Sequence, residues 1–234
     1  EWFPLAFLVA AIIAGFSAYS YVKMANAWPS AGGIAMFLQK SYGRGTVTAV
    51  CALLMYFSMV VNESLVARTF ATYSLHLTGN ESGGWLLPVL AVAVLVFAFL
   101  VNILGNKTIQ TFSFFMAFIK IGGLVFLAAG GLWASGLSFE AAASSGEETS
   151  FAGFLGAVAL GILAYKGFTT ITNSGSEIKN PKKNVGRAII ISLVICTVIY
   201  LLVSLAVAGN LTVDEIVAAR DYSLAEAARP AYGE

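Results

Sequence analysis

The sequence predicts an all-α integral membrane protein with six membrane-spanning helices, and three observations carry that prediction. Hydrophobic residues make up 59% of the chain and charged residues only 11%, with a mean hydropathy of +0.84. Soluble domains run near ~45–50% apolar and ~25% charged. The apolar residues gather into six runs of about 20, the length that crosses about 30 Å of hydrocarbon at about 1.5 Å per residue. These runs are continuously apolar rather than alternating. That selects helices over a barrel, because a helix satisfies its own backbone groups in lipid.

The first span covers residues 3–22 and ends at Lys23. It has neither the charged lead nor the small-residue cleavage site of a signal peptide. Its abrupt apolar start predicts an upstream segment. Residues 24–45 form a loop with Pro29, Gly32, Gly33, Lys40 and Arg44, in which 35–42 reads as a short interfacial helix. The second span is 46–70, with Glu63 and Arg68 towards its far end; a polar turn follows at 78–84. The third span, 85–104, meets the fourth, 109–133, across the tight turn Gly105-Asn106-Lys107. A polar loop, 134–150, carries Glu140, Glu147 and Glu148.

The fifth span, 151–172, begins as an apolar helix, then carries Lys166 and thins into Gly167, Thr169, Thr170 and Thr172. A lipid-facing helix has no use for that run; a helix that breaks beside a polar cavity does. A discontinuity is expected around residues 164–172, with unwinding at Gly167 leaving backbone groups for a ligand. Gly153, Gly156 and Gly161 read instead as close-packing positions. The sixth span, 188–208, is uninterrupted Ile, Val and Leu and reads as the most lipid-compatible helix. Residues 212–234 are polar, with Ile216, Val217, Leu224 and Ala227 spaced as on an amphipathic helix, broken by Pro230 and Gly233.

Charge sorts the loops. Loops 23–45, 105–108 and 173–187 hold Lys23, Lys40, Arg44, Lys107, Lys179, Lys182, Lys183 and Arg187, whereas the opposite side holds only Arg220 and Arg229. The basic set is therefore expected in the cytoplasm, on a multi-pass protein of the cell membrane.

Two lysines fall inside spans. Lys120 lies about 18 Å from either end of its helix, too far to reach the surface easily. A centred lysine costs at least about 2.5–3.5 kcal/mol, so it is expected to face protein, and burial suits it to carry a proton. Lys166 stands at the expected break, either near the carbonyls that end the first half-helix or facing a solute. Cys51 and Cys196, both in apolar runs, read as buried small hydrophobes rather than a disulfide or metal pair. One histidine, His76, and no paired carboxylates argue against an enzyme, a metal or another cofactor, and nothing suggests nucleic acid. The break reads as the binding site of a transporter.

Certain residues resemble a known family. The run Tyr165-Lys166-Gly167-Phe168, then Glu177-Ile178-Lys179-Asn180-Pro181-Lys182-Lys183-Asn184-Val185, then Arg187-Ala188-Ile189, resembles the sixth helix and following loop of the amino acid–polyamine–organocation (APC) permeases. The loop Pro29-Ser30-Ala31-Gly32-Gly33 is similar to their loop after helix two. Lys120 falls in the counterpart of helix five, where some proton-coupled members carry a lysine in place of a sodium ion. The resemblance implies that these spans are helices two to seven of a twelve-helix, LeuT-like inverted-repeat fold, with 212–234 starting an extracellular lid. Lys23, Ala35, Met36 and Lys166 depart from the family pattern; Lys166 falls where most members are neutral.

The resemblance implies a secondary active transporter of an amino acid, neutral or acidic, or a related amine-bearing solute, driven by a proton. Its site would comprise Tyr165, Lys166, Gly167, Phe168, Thr169 and Thr170, with Ser58 and Asn62 from the second span and Lys120 as the coupling group. The rival reading is a channel-like or non-transporting scaffold subunit, which requires continuous helices.

Overall fold

The structure is a computed structural model that describes residues 3–78, 84–103, 106–136, 150–219 and 222–232. Among these residues there is no strand. Helix α1 runs Phe3–Ala27, α2 Gly33–Tyr42, α3 Thr46–Leu77, α4 Leu86–Ile103 and α5 Asn106–Ala134. Helix α6, Phe151–Tyr165, passes directly into a 3-10 segment, Lys166–Ser174. Then come α7, Pro181–Asn210, α8, Val213–Ala219, and α9, Ser223–Tyr232. Six stretches are long and apolar enough to cross a membrane: α1, α3, α4, residues 109–134 of α5, α6 with its 3-10 extension, and α7. Helix α3 continues past its expected end at residue 70 to Leu77. Most of loop 134–150, with Glu140, Glu147 and Glu148, lies outside the described residues.

The centre of the bundle is α7, which packs against α1, α5, α9 and the 3-10 segment. Sequence reasoning read this helix as the most lipid-compatible, and the structure gives it two unlike faces. One face buries Val185, Gly186, Ile189, Ile199, Ser204, Ala206 and Val207. The other exposes Ile190, Ile191, Val194 and Val198. Hydropathy does not separate the two faces, because lipid tails are as apolar as a protein core.

Close packing rests on small residues. Ala6, Ala10, Ala14 and Ala18 of α1 recur every four residues as one buried stripe. Gly161 of α6 faces that stripe, and a Cβ there would come within 2.8 Å of the Ala10 Cβ. Gly153 and Gly156 have nothing within 4 Å of their would-be Cβ positions, so of the three expected packing glycines only Gly161 meets a neighbouring helix.

Helices α3 and α4 pack on each other, and α4 buries none of its residues. They stand beside the group formed by α1, α6 and α7, and that separation opens the cleft described below. Helix α2 links the two groups, touching both α3 and the 3-10 segment. Its first residue, Gly33, has a φ of +48°, and any side chain there would collide with Asn173. The Ser30 backbone seats against Gly175, where a Cβ would lie 2.9 Å from both its N and O. The glycine-pair loop and the end of the 3-10 segment thus meet face to face.

The polar tail folds as two helices. Thr212 and Glu215 cap α8 reciprocally: the Thr212 N–H and hydroxyl each donate to Glu215 Oε2 at 2.8 Å, and the Glu215 N–H donates to Thr212 Oγ1 at 3.4 Å. These bonds hold the exposed Glu215 carboxyl below its ordinary pKa. Pro230 was expected to break α9, but the helix continues through it to Tyr232. Tyr232 stacks on Phe126 of α5, centroids 4.4 Å apart, and donates to its carbonyl at 2.9 Å. The ring fits because Gly130 has no side chain to meet it. Asn210 Nδ2 joins α7 to α5, donating to Gly131 O at 2.7 Å.

Candidate functional site in the cleft beside the α6 break

The regular α-helix of the fifth span ends at Tyr165, and the 3-10 segment continues for nine residues. Such runs rarely exceed about four residues and often mark a hinge. Local chemistry explains this one. Gly167 weakens the α-helix. Three threonines then donate to carbonyls three residues back: Thr169 to Lys166 O at 3.0 Å, Thr170 to Gly167 O at 2.7 Å and Thr172 to Thr169 O at 2.6 Å. This corrects the expected unwinding. The backbone tightens rather than opens, and the Gly167 carbonyl is occupied by the Thr170 hydroxyl. Phe168, buried, anchors the segment edge-on against Tyr21 of α1, centroids 5.6 Å apart.

Beside this transition lies a cleft of about 550 Å³. Asn62, Leu65 and Val66 of α3 form one wall and Lys120 of α5 projects into it. Leu160, Leu163 and Tyr165 of α6, then Gly167, Phe168 and Ile171, form the second wall. Ser192, Cys196 and Tyr200 of α7 close the third.

Of the residues singled out in the sequence, Asn62, Lys120, Tyr165, Gly167 and Phe168 therefore share one cleft. Lys166 turns to α3 and donates to the Ser58 hydroxyl. Ser58 is one helical turn from Asn62, so this pair marks the rim rather than the lining. Thr169 is buried behind the wall, and Thr170 is exposed with its hydroxyl folded onto Gly167. These two threonines shape the backbone and do not line the cleft.

The α7 wall was missed. Its signal was present: Ser192, Cys196 and Tyr200 recur every four residues and so lie on one helix face. Tyr200 donates to Ala164 O at 3.2 Å, tying α7 to the last turn of α6. Its ring meets that of Tyr165 at 5.2 Å. The Tyr165 hydroxyl is buried and, among the described residues, has no hydrogen-bond partner of normal geometry. Its neighbour Thr197 gives its own proton to Leu193 O at 2.8 Å.

The cleft's charge is one-sided. Lys120 lines it, Lys166 stands at its rim, and among the described residues no carboxylate lines it. Glu63, next to Asn62, is exposed and outside the lining. No group of His, Cys, Asp or Glu among the described residues is arranged to hold a metal.

Comparison with known proteins supplies the lineage. Residues 3–230 match the family described as amino acid permease. An uncharacterized protein of Methanocaldococcus jannaschii is 32% identical over 230 residues, covering 98% of this chain and 52% of its own length. The serine/threonine exchanger SteT of Bacillus subtilis is 25% identical over 233 residues, covering 97% and 51%. The aspartate-proton symporter of Bacillus subtilis is 26% identical over 213 residues, covering 84% and 39%. The chain thus spans about half the length of the first two. Six membrane-crossing helices and a family match over nearly the whole chain have one reading: this multi-pass protein of the cell membrane belongs to the amino acid permease family.

Proposed function

We propose that this chain forms substrate-binding machinery of a secondary active transporter for an amino acid, neutral or acidic, moved by alternating access. The observation that carries this reading is the cleft at the point where α6 gives way to a 3-10 segment. Its volume of about 550 Å³ falls within the roughly 300–1,000 Å³ of small-molecule sites. Apolar walls with a few convergent polar groups suit a zwitterion with a side chain. Tyr165, Gly167, Phe168 and Asn62 contact the solute in this reading, Lys166 and Ser58 guard the rim, and Thr169 and Thr170 hold the segment's shape. A channel or scaffold subunit would be served by continuous helices; the interruption after Tyr165 favours transport.

Lys120 is the coupling group in this reading. It projects into the cleft from mid-span and, among the described residues, has no hydrogen-bond or ion-pair partner, so gaining and losing a proton would change the cleft's charge directly. One relative is named a proton symporter and another an exchanger, and both drive modes are open to the same architecture. The basic loops face the cytoplasm, and α8 with α9 begins an external lid.

The test is uptake by the full-length protein in proteoliposomes, with and without an inward proton gradient. Lys120→Ala is expected to abolish gradient-driven accumulation while leaving counterflow. Undiminished accumulation by that variant removes Lys120 from coupling; failure of every amino acid to enter wild-type vesicles removes the transport reading itself.

A further inference from the structure

We propose that the cleft selects a dicarboxylic amino acid, with Lys166 as the specificity-determining residue that pairs with the side-chain carboxylate. The proposal rests on the transport reading above. Its own support is electrostatic and geometric. Lys120 and Lys166 bring two ammonium groups from different helices to one cleft and its rim. Among the described residues the ion pair is Arg229–Glu226, on α9, and neither lysine has a carboxylate partner. Glu63 and Glu177 are exposed and do not line the cleft. An ammonium deep in a bilayer costs at least about 2.5–3.5 kcal/mol unless it is received by a partner. A carboxylate on the solute would be such a partner.

Lys166 is placed to receive it. An ammonium has three donors. The one that reaches Ser58 bonds a neutral hydroxyl. A carboxylate outcompetes a hydroxyl, because charge-assisted hydrogen bonds are roughly twice as strong as neutral ones. With Lys120 assigned to proton coupling, Lys166 is the cation left for a second carboxylate. A cationic amino acid meets repulsion from both ammonium groups, and a neutral one leaves Lys166 on Ser58.

The experiment measures uptake of aspartate against asparagine, and glutamate against glutamine, by full-length protein in proteoliposomes. Within each pair the substrates match in shape and differ in charge, so their KM ratio on one preparation cancels differences in folding and yield. Wild type is expected to favour the acid by about tenfold or more, the scale of a desolvated charge pair. Lys166→Met is expected to erase most of that ratio, and Lys166→Arg to keep it. Wild type that carries the amide as well as the acid overturns the proposal, as does an unchanged ratio in Lys166→Met. If amides enter and acids do not, this inference fails and the transport reading stands. If neither enters, and no other amino acid does, the transport reading fails.

Discussion

The junction between the glycine-pair loop and the 3-10 segment offers a perturbation whose two parts can be measured separately. Gly33→Ala places a Cβ where φ is +48° and where the Asn173 side chain already lies, with Thr172 Oγ1 a further 3.3 Å from it. The left-handed backbone costs a non-glycine residue about 1–2 kcal/mol. Overpacking against Asn173 adds about 1–3 kcal/mol. The sum, about 2–5 kcal/mol, corresponds to roughly 4–20 °C in melting temperature for a chain of this size. The assay is thermal melting of the detergent-solubilised protein, followed by the loss of its size-exclusion peak. Asn173 is exposed, so Asn173→Ala alone is expected to shift the melt little. The double variant Gly33→Ala, Asn173→Ala is expected to recover the steric part and retain the backbone part, about half the loss. A Gly33→Ala protein that melts with wild type, or a double variant with no recovery, would refute the docking of α2 on the 3-10 segment.

Other positions give sharp expectations. Gly161→Leu drives a side chain into Ala10 and is expected to separate α6 from α1, costing about 1–3 kcal/mol by the same melt, whereas Gly153→Leu, facing open space, is expected to leave it unchanged. Tyr200→Phe removes the donor to Ala164 O and is expected to cost about 1 kcal/mol, and to raise the substrate KM if the last turn of α6 shapes the site. The Glu215 carboxylate has a lowered pKa, so its contribution to α8 is fully present above the ordinary glutamate value and is lost as pH falls through the lowered one. Hydrogen exchange in α8 is expected to quicken across that acidic window in wild type and to be fast and pH-independent of this group in Glu215→Gln.

Much of the fold was legible because a bilayer imposes a coarse rule. A run such as 188–208 has to be a helix that crosses, whatever its neighbours. The end of the α-helix at Tyr165 was also legible, since Lys166, Gly167 and the threonines make no sense against lipid. What hydropathy hid was which side of each helix faces protein. Val185 and Ile189 are buried while Ile190 and Ile191 are exposed, and no transfer scale separates isoleucine from isoleucine. The α7 wall went unseen for that reason, although Ser192, Cys196 and Tyr200 share one face. Pro230 misled in another way. The proline lacks the N–H that would bond the carbonyl of Glu226, yet α9 runs two residues past it to Tyr232, whose ring is held on Phe126.

The threonines explain how a span gives up α-helical geometry inside a membrane. A peptide group in hydrocarbon cannot be left unpaired without a cost of several kcal/mol. Lys166, Gly167 and Thr169 present carbonyls at the very turn where the ladder changes register, and the hydroxyls of Thr169, Thr170 and Thr172 donate to those three oxygens. A side-chain hydroxyl can stay with its carbonyl while the backbone bond shifts between partners three and four residues away. Alanine in place of the threonines would bind each carbonyl to a single backbone donor and favour one geometry. A run of threonines beside a glycine therefore does more than advertise polarity. It keeps the backbone satisfied on both sides of a change of shape, at the place where, in the proposed transport cycle, the cleft's walls would admit and release a solute.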